Sequence, residues 1–124
     1  MKAIENILIP VTDQLVSKEF YLRLGFKVIM EADLGEGNHW IQLGLGNQLT
    51  TISLVKNWPY SELKAGSLQG LILETDNILK EKDELNKKGI LMSEIKESSY
   101  GQMAFISDPD KNGLSIHQFK QSNH

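Results

Sequence analysis

The 124-residue chain contains no cysteine, only three histidines and no long apolar run. Without cysteine there is no disulfide framework, no thiolate metal ligand and no cysteine nucleophile. The formal net charge of −3 argues against the broad basic face that binds nucleic acid or an anionic membrane. The length suits one domain with a hydrophobic core of its own, so folding does not require a metal or disulfide staple.

The amino terminus does not resemble a targeting segment. Glu5 interrupts the first apolar stretch, whereas a secretory signal needs about 7–15 uninterrupted apolar residues after a basic start. No window approaches the ~20 apolar residues of a membrane-spanning helix. We therefore expect a soluble, cytoplasmic protein with neither a membrane nor a nucleic-acid partner.

The first half of the chain predicts the order β-α-β-β-β. Residues 4–11 form an apolar run typical of a buried strand, and Asp13 can cap a helix that extends to Leu24. Gly25 stands where a helix commonly ends in a left-handed conformation. A turn-rich loop is predicted at residues 33–38, and three further strands at residues 26–31, 39–43 and 49–55.

The second half repeats this order after residues 56–67, which show no clean period. A strand at residues 68–75 precedes a helix at residues 78–88, and Gly89 ends that helix. The remaining strands are predicted at residues 90–95, 102–106 and 114–119.

The two halves correspond at an offset of 64 to 65 residues. The matched pairs are Asp13 with Asn77, Gly25 with Gly89, Phe26 with Ile90, and Asn47 with Asn112. We interpret this spacing as an internal duplication and predict an α+β fold of two βαβββ modules, which together can enclose a cleft.

Three stretches carry a resemblance to a known superfamily. They are V-T-D at residues 11–13 with F-Y-L-R-L-G-F at 20–26, Y-G-Q-M-A-F at 100–105, and D-P-D-K-N-G at 108–113. The chain resembles the vicinal oxygen chelate (VOC) superfamily, which includes glyoxalase I, the bleomycin resistance proteins and the extradiol dioxygenases. The resemblance implies a single VOC domain over residues 1–124, with mixed sheets curling around a cleft. Its parts would be module 1 at about 1–56, a linker at about 57–67 and module 2 at about 68–121.

Enzymes of that superfamily hold one divalent metal at four positions, usually through His, Gln and Glu. The resemblance places these positions at Asn6, Gly70, Ser115 and Thr50, or Thr51 if a bulge intervenes. Glycine has no donor, and neutral amide and hydroxyl oxygens bind divalent metals weakly. We therefore expect no metal and no cofactor. A slip of one residue in strand register would bring other donors close, namely Glu5, Glu74 and His117.

The ligand-binding candidates are Asn6, Trp40, Thr50, Gly70, Tyr100, Ser115 and His117. His117 shares a strand face with Ser115, and is either a ligand contact or general base, or a structural histidine. Glu74, on the face of Gly70, is the other catalytic candidate. Trp40 could stack on a planar ligand or pack in the core. Tyr100 could donate its phenol to a ligand or lie exposed on a hairpin.

Two functions remain open. The first is a metal-independent protein that binds an antibiotic-like or metabolite-like small molecule, similar to the bleomycin resistance branch, and is a homodimer as the resemblance implies. The alternative is a lyase, isomerase or dioxygenase of the same superfamily, with a displaced metal site or a His117/Glu74 acid–base pair. Whether the protein is an enzyme is left open at this point.

Overall fold

The computed structural model describes residues 1–35, 38–60 and 62–120. The chain divides into two compact units, of which the first comprises residues 1–68 with 108–112, and the second residues 69–107 with the chain from residue 113 onward. The remaining positions lie outside the described residues. They include the centre of the predicted 33–38 loop, one linker position, the predicted end of module 2 and the terminal His124.

The first unit contains one helix and one four-stranded sheet among its described residues. Its elements are β1 (Asn6–Pro10), α1 (Gln14–Leu24), β2 (Lys27–Gly35), β3 (Asn38–Gly44) and β4 (Thr51–Val55). The strand order is β1-β4-β3-β2, with β1 parallel to β4 and the other pairs antiparallel. The sheet is therefore mixed.

Local sequence explains where α1 begins and ends. The Asp13 carboxylate accepts hydrogen bonds from the backbone N–H groups of Leu15 and Val16, which otherwise lack partners at a helix start. Gly25 ends the helix with φ +112°, a conformation that glycine adopts without steric cost. The predicted helix and both of its ends are confirmed.

The second unit repeats the same order. Its elements are β5 (Gln69–Glu74), α2 (Ile78–Lys87), β6 (Lys96–Ser98), β7 (Gly101–Ser107) and β8 (Gly113–Phe119). The strand order is β5-β8-β7-β6, with β5 parallel to β8. The Asn77 side chain accepts from the N–H of Lys80, and the Gln118 side chain accepts from the N–H of Ile78. Two βαβββ modules with mixed sheets confirm the predicted α+β fold class.

The strand predicted at residues 90–95 is wrong. This segment is irregular, and the short strand β6 begins only at Lys96. Ser93 explains the interruption, because its hydroxyl accepts from the N–H of Phe105 while its own N–H donates to the Phe105 carbonyl. A side-chain oxygen has therefore taken the place of a backbone carbonyl at this point.

The predicted loop at residues 33–38 is also too long. The strand β2 continues to Gly35 and pairs with β3, so that Asp33 lies opposite His39. No helix within the described ranges is long and apolar enough to cross a membrane.

Candidate functional site

The face of the first sheet that is opposite α1 carries a row of hydrogen-bonded polar side chains, here called the polar ladder: Asn6, Trp40, Gln42, Thr51 and Ser53. Alternation along β4 directs the buried Ile52 and Leu54 toward α1 and therefore directs Thr51 and Ser53 to the other face. The parallel register sets Asn6 opposite Thr51, and the antiparallel register sets Gln42 opposite Ser53.

The hydrogen bonds of the polar ladder are short and continuous. Asn6 Nδ2 donates to Thr51 Oγ1 at 2.8 Å and to Ser53 Oγ at 2.9 Å. Gln42 Nε2 donates to Thr51 Oγ1 at 2.9 Å, and Trp40 Nε1 donates to Gln42 Oε1 at 3.1 Å. Asn6 Oδ1 is buried and accepts from no described residue. The side chains of the polar ladder therefore bond to one another, and the Asn6 Oδ1 acceptor is left without a described partner.

The resemblance left Thr50 and Thr51 as alternatives for the candidate on the last strand of the first module. The strand register pairs Thr51 with Asn6. Thr50 precedes β4, and its hydroxyl donates to the carbonyl of Ile4 at 2.7 Å. This contact turns the Thr50 hydroxyl toward the backbone that leads into β1.

A cavity of about 530 Å³ lies within the first unit, between the ends of β1 and β4 and the segment that follows β4. Leu8, Pro10 and Val55 supply its sheet side, and Trp58 and Leu63 belong to the following segment. The Trp58 ring lies 5.4 Å from that of Trp40 and 5.8 Å from that of Tyr60, between ring centroids. The volume falls within the range of about 300–1,000 Å³ that is usual for small-molecule sites.

The second sheet presents a different face opposite its helix. Ser115 on β8 lies opposite Ile72 on β5 and opposite Phe105 on β7, and His117 on β8 lies opposite Glu74 on β5. Ile72, Phe105 and Phe119 are 58%, 47% and 61% exposed, so this face carries exposed apolar side chains among its polar ones. Gly70 lies at the register shift between Gln69 and Leu71 and has φ +110°.

His117 is buried, and its ring packs edge to face against Phe119 with centroids 4.5 Å apart. Glu74 is exposed and lies opposite His117 in the register, and within the described part of the chain no hydrogen bond joins its carboxylate to the His117 ring. Ser115 lies next to them on the same face, whereas Tyr100 is 77% exposed in the turn between β6 and β7. The structure therefore brings Glu74, Ser115 and His117 together, and Asn6 and Trp40 together within the first unit.

The D-P-D-K-N stretch forms a buried polar cluster within the first unit. Asp108 accepts from Tyr21 Oη at 2.9 Å, from the N–H groups of Asp110 and Asn112, and from Asn112 Nδ2 at 2.8 Å. Asn112 Nδ2 also donates to the carbonyl of Pro10. Burial, and then the negative charge of Asp108, raise the pKa of the Tyr21 phenol far above its usual value. Tyr21 therefore stays protonated as a donor to Asp108.

The residues that the resemblance assigns to the superfamily's metal positions are poor donors for a divalent cation. Gly70 has no side chain, and its positive φ disfavours any other residue there. Asn6 and Thr51 are already hydrogen-bonded to each other, and Ser115 offers one neutral hydroxyl. Within residues 1–35, 38–60 and 62–120, no group of three or more His, Asp or Glu side chains could hold a metal ion.

Sequence reasoning missed several residues around these faces: Gln42, Ser53, Lys56, Leu63 and Lys64. Polar residues at alternate positions of β4, in an otherwise apolar strand, were a signal for the polar ladder. Nothing in the local sequence marked Lys56 or Lys64, because residues 56–67 carry no periodic pattern.

Two βαβββ units with mixed four-stranded sheets place the chain among the small α+β folds built by duplication. The model of the Glyoxalase/Bleomycin resistance protein/Dioxygenase superfamily matches residues 3–116. The chain belongs to this superfamily, as the resemblance implied.

Solved structures agree with this assignment. TnmS3, an antibiotic binding protein from Streptomyces sp. CB03234, is 29% identical with a TM-score of 0.88, over 97% of this chain and 98% of that one. A glyoxalase/bleomycin resistance protein from the same Streptomyces strain is 31% identical with a TM-score of 0.79, over 91% and 97% of the two chains. A glyoxalase family protein from Enterococcus faecalis is 26% identical with a TM-score of 0.75, over 94% and 98%. No curated protein matches the sequence.

Proposed function

We propose that this protein binds a small organic molecule of antibiotic or metabolite type without the help of a metal. The observation that carries the proposal is the polar ladder. Asn6 and Thr51 lie at positions that the resemblance assigns to metal ligands, and Asn6 Nδ2 donates to the hydroxyls of both Thr51 and Ser53. This neutral network leaves the buried Asn6 Oδ1 free to accept from an organic ligand, and it supplies no carboxylate or imidazole for a divalent cation.

Gly70 supports the same proposal in the second unit. A metal ligand at this position needs a side chain, but its φ of +110° is a conformation that residues with a Cβ rarely adopt. The likeness to TnmS3, which is described as an antibiotic binding protein, adds support from a relative that is 29% identical.

The test combines metal analysis with ligand screening. Protein purified without chelator should contain no stoichiometric Ni, Zn, Mn or Fe. A thermal-shift screen of antibiotics and 2-oxo metabolites should find a ligand whose shift is the same with and without EDTA. A ligand at 100 times its dissociation constant should add about 2.7 kcal/mol to the free energy of unfolding. Stoichiometric metal, or a shift that EDTA abolishes, would contradict the proposal.

A homodimer and a cytoplasmic location are parts of the same proposal. The exposed apolar side chains Ile72, Phe105 and Phe119 on one sheet face support self-association, because exposed apolar surface is commonly covered by a partner. Light scattering coupled to size-exclusion chromatography should give twice the 14.0 kDa chain mass. A mass of one chain at micromolar concentration would contradict the dimer.

One observation favours the alternative, an enzyme with an acid–base pair. Glu74 and His117 are direct partners in the parallel register of β5 and β8, so their side chains leave the same face of the sheet. If a candidate substrate is turned over, Glu74→Gln and His117→Gln should each lower kcat by at least about a hundredfold. Turnover that survives both substitutions would exclude this pair.

A further inference from the structure

The cavity of the first unit has walls of two kinds. Its sheet side is apolar, with Leu8, Pro10 and Val55 side by side. The hydrogen bond from the Val11 N–H to the Val55 carbonyl, at 2.9 Å, continues the pairing of β1 and β4 beyond Pro10. The opposite side comes from the segment after β4, which turns at Asn57 with φ +51°.

The only charged side chains that line the described part of this cavity are cations. Lys56 and Lys64 both border it, and no Asp or Glu does. Neither lysine forms an ion pair with a described carboxylate. Asp110, which accepts from Thr12 at the cavity edge, does not line it. The charged residues that line the described part of the cavity are therefore both cationic, although the net charge of the whole chain is −3.

Trp58 gives the cavity a broad aromatic surface that is held in place. Its ring contacts Trp40, which is itself fixed by the hydrogen bond to Gln42, and it contacts Tyr60 on another side. An indole fixed by two aromatic neighbours is well suited to stacking on a flat ring. The cavity therefore combines an apolar wall, an aromatic surface and two lysines that pair with no described carboxylate. A ligand that fits it would have a flat apolar part and an anionic group.

We propose that this cavity binds a flat, largely apolar molecule that carries a carboxylate, with the ring against Trp58 and the sheet wall and the carboxylate at Lys56 and Lys64. Ammonium groups without partners favour an anion over a neutral isostere, because a charge-assisted hydrogen bond is about twice as strong as a neutral one. This inference rests on the proposed function and narrows it to a ligand class and a location.

The test compares three probes of the same shape: 2-naphthoate, 2-naphthamide and 2-naphthylmethylammonium. Binding is measured by calorimetry, since an added ring would also alter tryptophan fluorescence directly. We expect the naphthoate to bind about tenfold more tightly than the amide, and the ammonium to bind most weakly. The preference for the anion should shrink at high ionic strength, because salt screens exposed charges.

Two double variants separate the cavity from the overall charge. Lys56→Gln/Lys64→Gln should make naphthoate and naphthamide bind equally. Lys2→Gln/Lys27→Gln removes the same number of charges from exposed positions of the first unit outside the cavity, and should leave the tenfold preference in place. An anion preference that survives in the first variant, or that is lost equally in the second, would overturn the proposal.

A third variant tests the aromatic surface. Trp58→Leu keeps an apolar side chain but removes the stacking surface, and should weaken both naphthoate and naphthamide by about tenfold while keeping the preference between them. Phe105→Leu, on the second sheet, is the matched control and should change neither. Equal losses in the two variants would place the probe elsewhere.

The outcomes separate this inference from the proposed function. If none of the three probes binds while the screen finds an EDTA-insensitive ligand, the ligand class is wrong and metal-independent binding stands. If the naphthoate binds at the cavity but the protein carries stoichiometric metal, the cavity assignment stands and metal independence fails.

Discussion

The two units share the order of their elements but use the helix-distal faces of their sheets differently. In the first unit that face carries the polar ladder, whose members donate and accept among themselves. In the second unit the equivalent face exposes the apolar side chains of Ile72, Phe105 and Phe119 beside Ser115 and His117. One duplicated architecture therefore carries two different helix-distal faces, because alternation along a strand lets one face change while the core face is preserved.

The hairpin turns before the last strands differ in the same way. Asn47 and Asn112 correspond at the sequence offset, yet Asn47 is exposed and Asn112 is completely buried. Asn112 joins the polar cluster of Asp108 and Tyr21, and its Oδ1 accepts from the N–H of Leu68. The same residue type is thus a turn former at one position and a structural anchor at the other.

The largest effect should come from breaking that buried cluster. Asn112→Ala leaves Asp108 Oδ2, the Pro10 carbonyl and the Leu68 N–H without their Asn112 partner, and should lower the free energy of unfolding by about 3 kcal/mol. Urea denaturation followed by circular dichroism measures this loss. The matched control is Asn47→Ala, which should stay within about 0.5 kcal/mol of the parent. Equal effects of the two substitutions would contradict the contrast between the turns.

A smaller effect should distinguish the superfamily's metal positions in the two units. Asn6→Ala removes two hydrogen bonds of the polar ladder and should cost about 1–2 kcal/mol. Ser115→Ala removes a hydroxyl that bonds to no other described side chain, and should change the free energy of unfolding by less than about 0.5 kcal/mol. The same denaturation experiment measures both. A loss at Ser115 as large as that at Asn6 would show that the second unit also uses this position structurally.

The smallest effect concerns a surface charge pair in the first unit. Lys18 Nζ lies 2.7 Å from Glu31 Oε1, and His39 Nε2 lies 3.2 Å from Oε2. The hydrogen bond from Lys18, followed by that from His39, lowers the pKa of the Glu31 carboxyl. Because the folded pKa lies below the unfolded one, the stabilisation is present above the unfolded value of about 4.3 and is lost as the pH falls through the folded value.

Glu31→Gln should therefore lower the free energy of unfolding by at most about 0.5 kcal/mol at pH 7, since the pair is exposed. The difference from the parent should vanish at the acidic end of a pH series of urea denaturation curves. Glu84→Gln, which removes the i,i+4 pair with Lys80 on α2, is the control in the second unit and should have a still smaller effect. A difference for Glu31 that grows as the pH falls would contradict the sign of the pKa shift.

Local signals in the sequence predicted the helices well and the strands less well. Asp13, Gly25 and Asn77 act on backbone groups within a few residues of themselves, so their roles could be deduced from the sequence. The segment at residues 90–95 has strand-like composition, but the Ser93 hydroxyl that replaces a backbone acceptor meets Phe105 only in the folded chain. Such a contact between distant residues leaves no local signal.

The candidate site also depends partly on features visible in the sequence and partly on contacts between distant residues. The resemblance pointed to Asn6 and left Thr50 and Thr51 open, and only the register of β1 with β4 pairs Asn6 with Thr51. The cavity depends on how the segment after β4 folds back over the sheet, and this brings Lys56 and Lys64 to one apolar wall. Neither lysine belongs to a pattern that the sequence alone could reveal.

By itself, the sequence determined the α+β class, the duplicated βαβββ order and both ends of α1. These features depend on residue identity and short-range spacing, which act through local backbone geometry. The tertiary structure alone decided which polar groups satisfy one another, where Asn112 is buried and where positive charge gathers beside Trp58. Those outcomes depend on strand register and on contacts between segments that are distant in sequence, and such contacts form only in the folded chain.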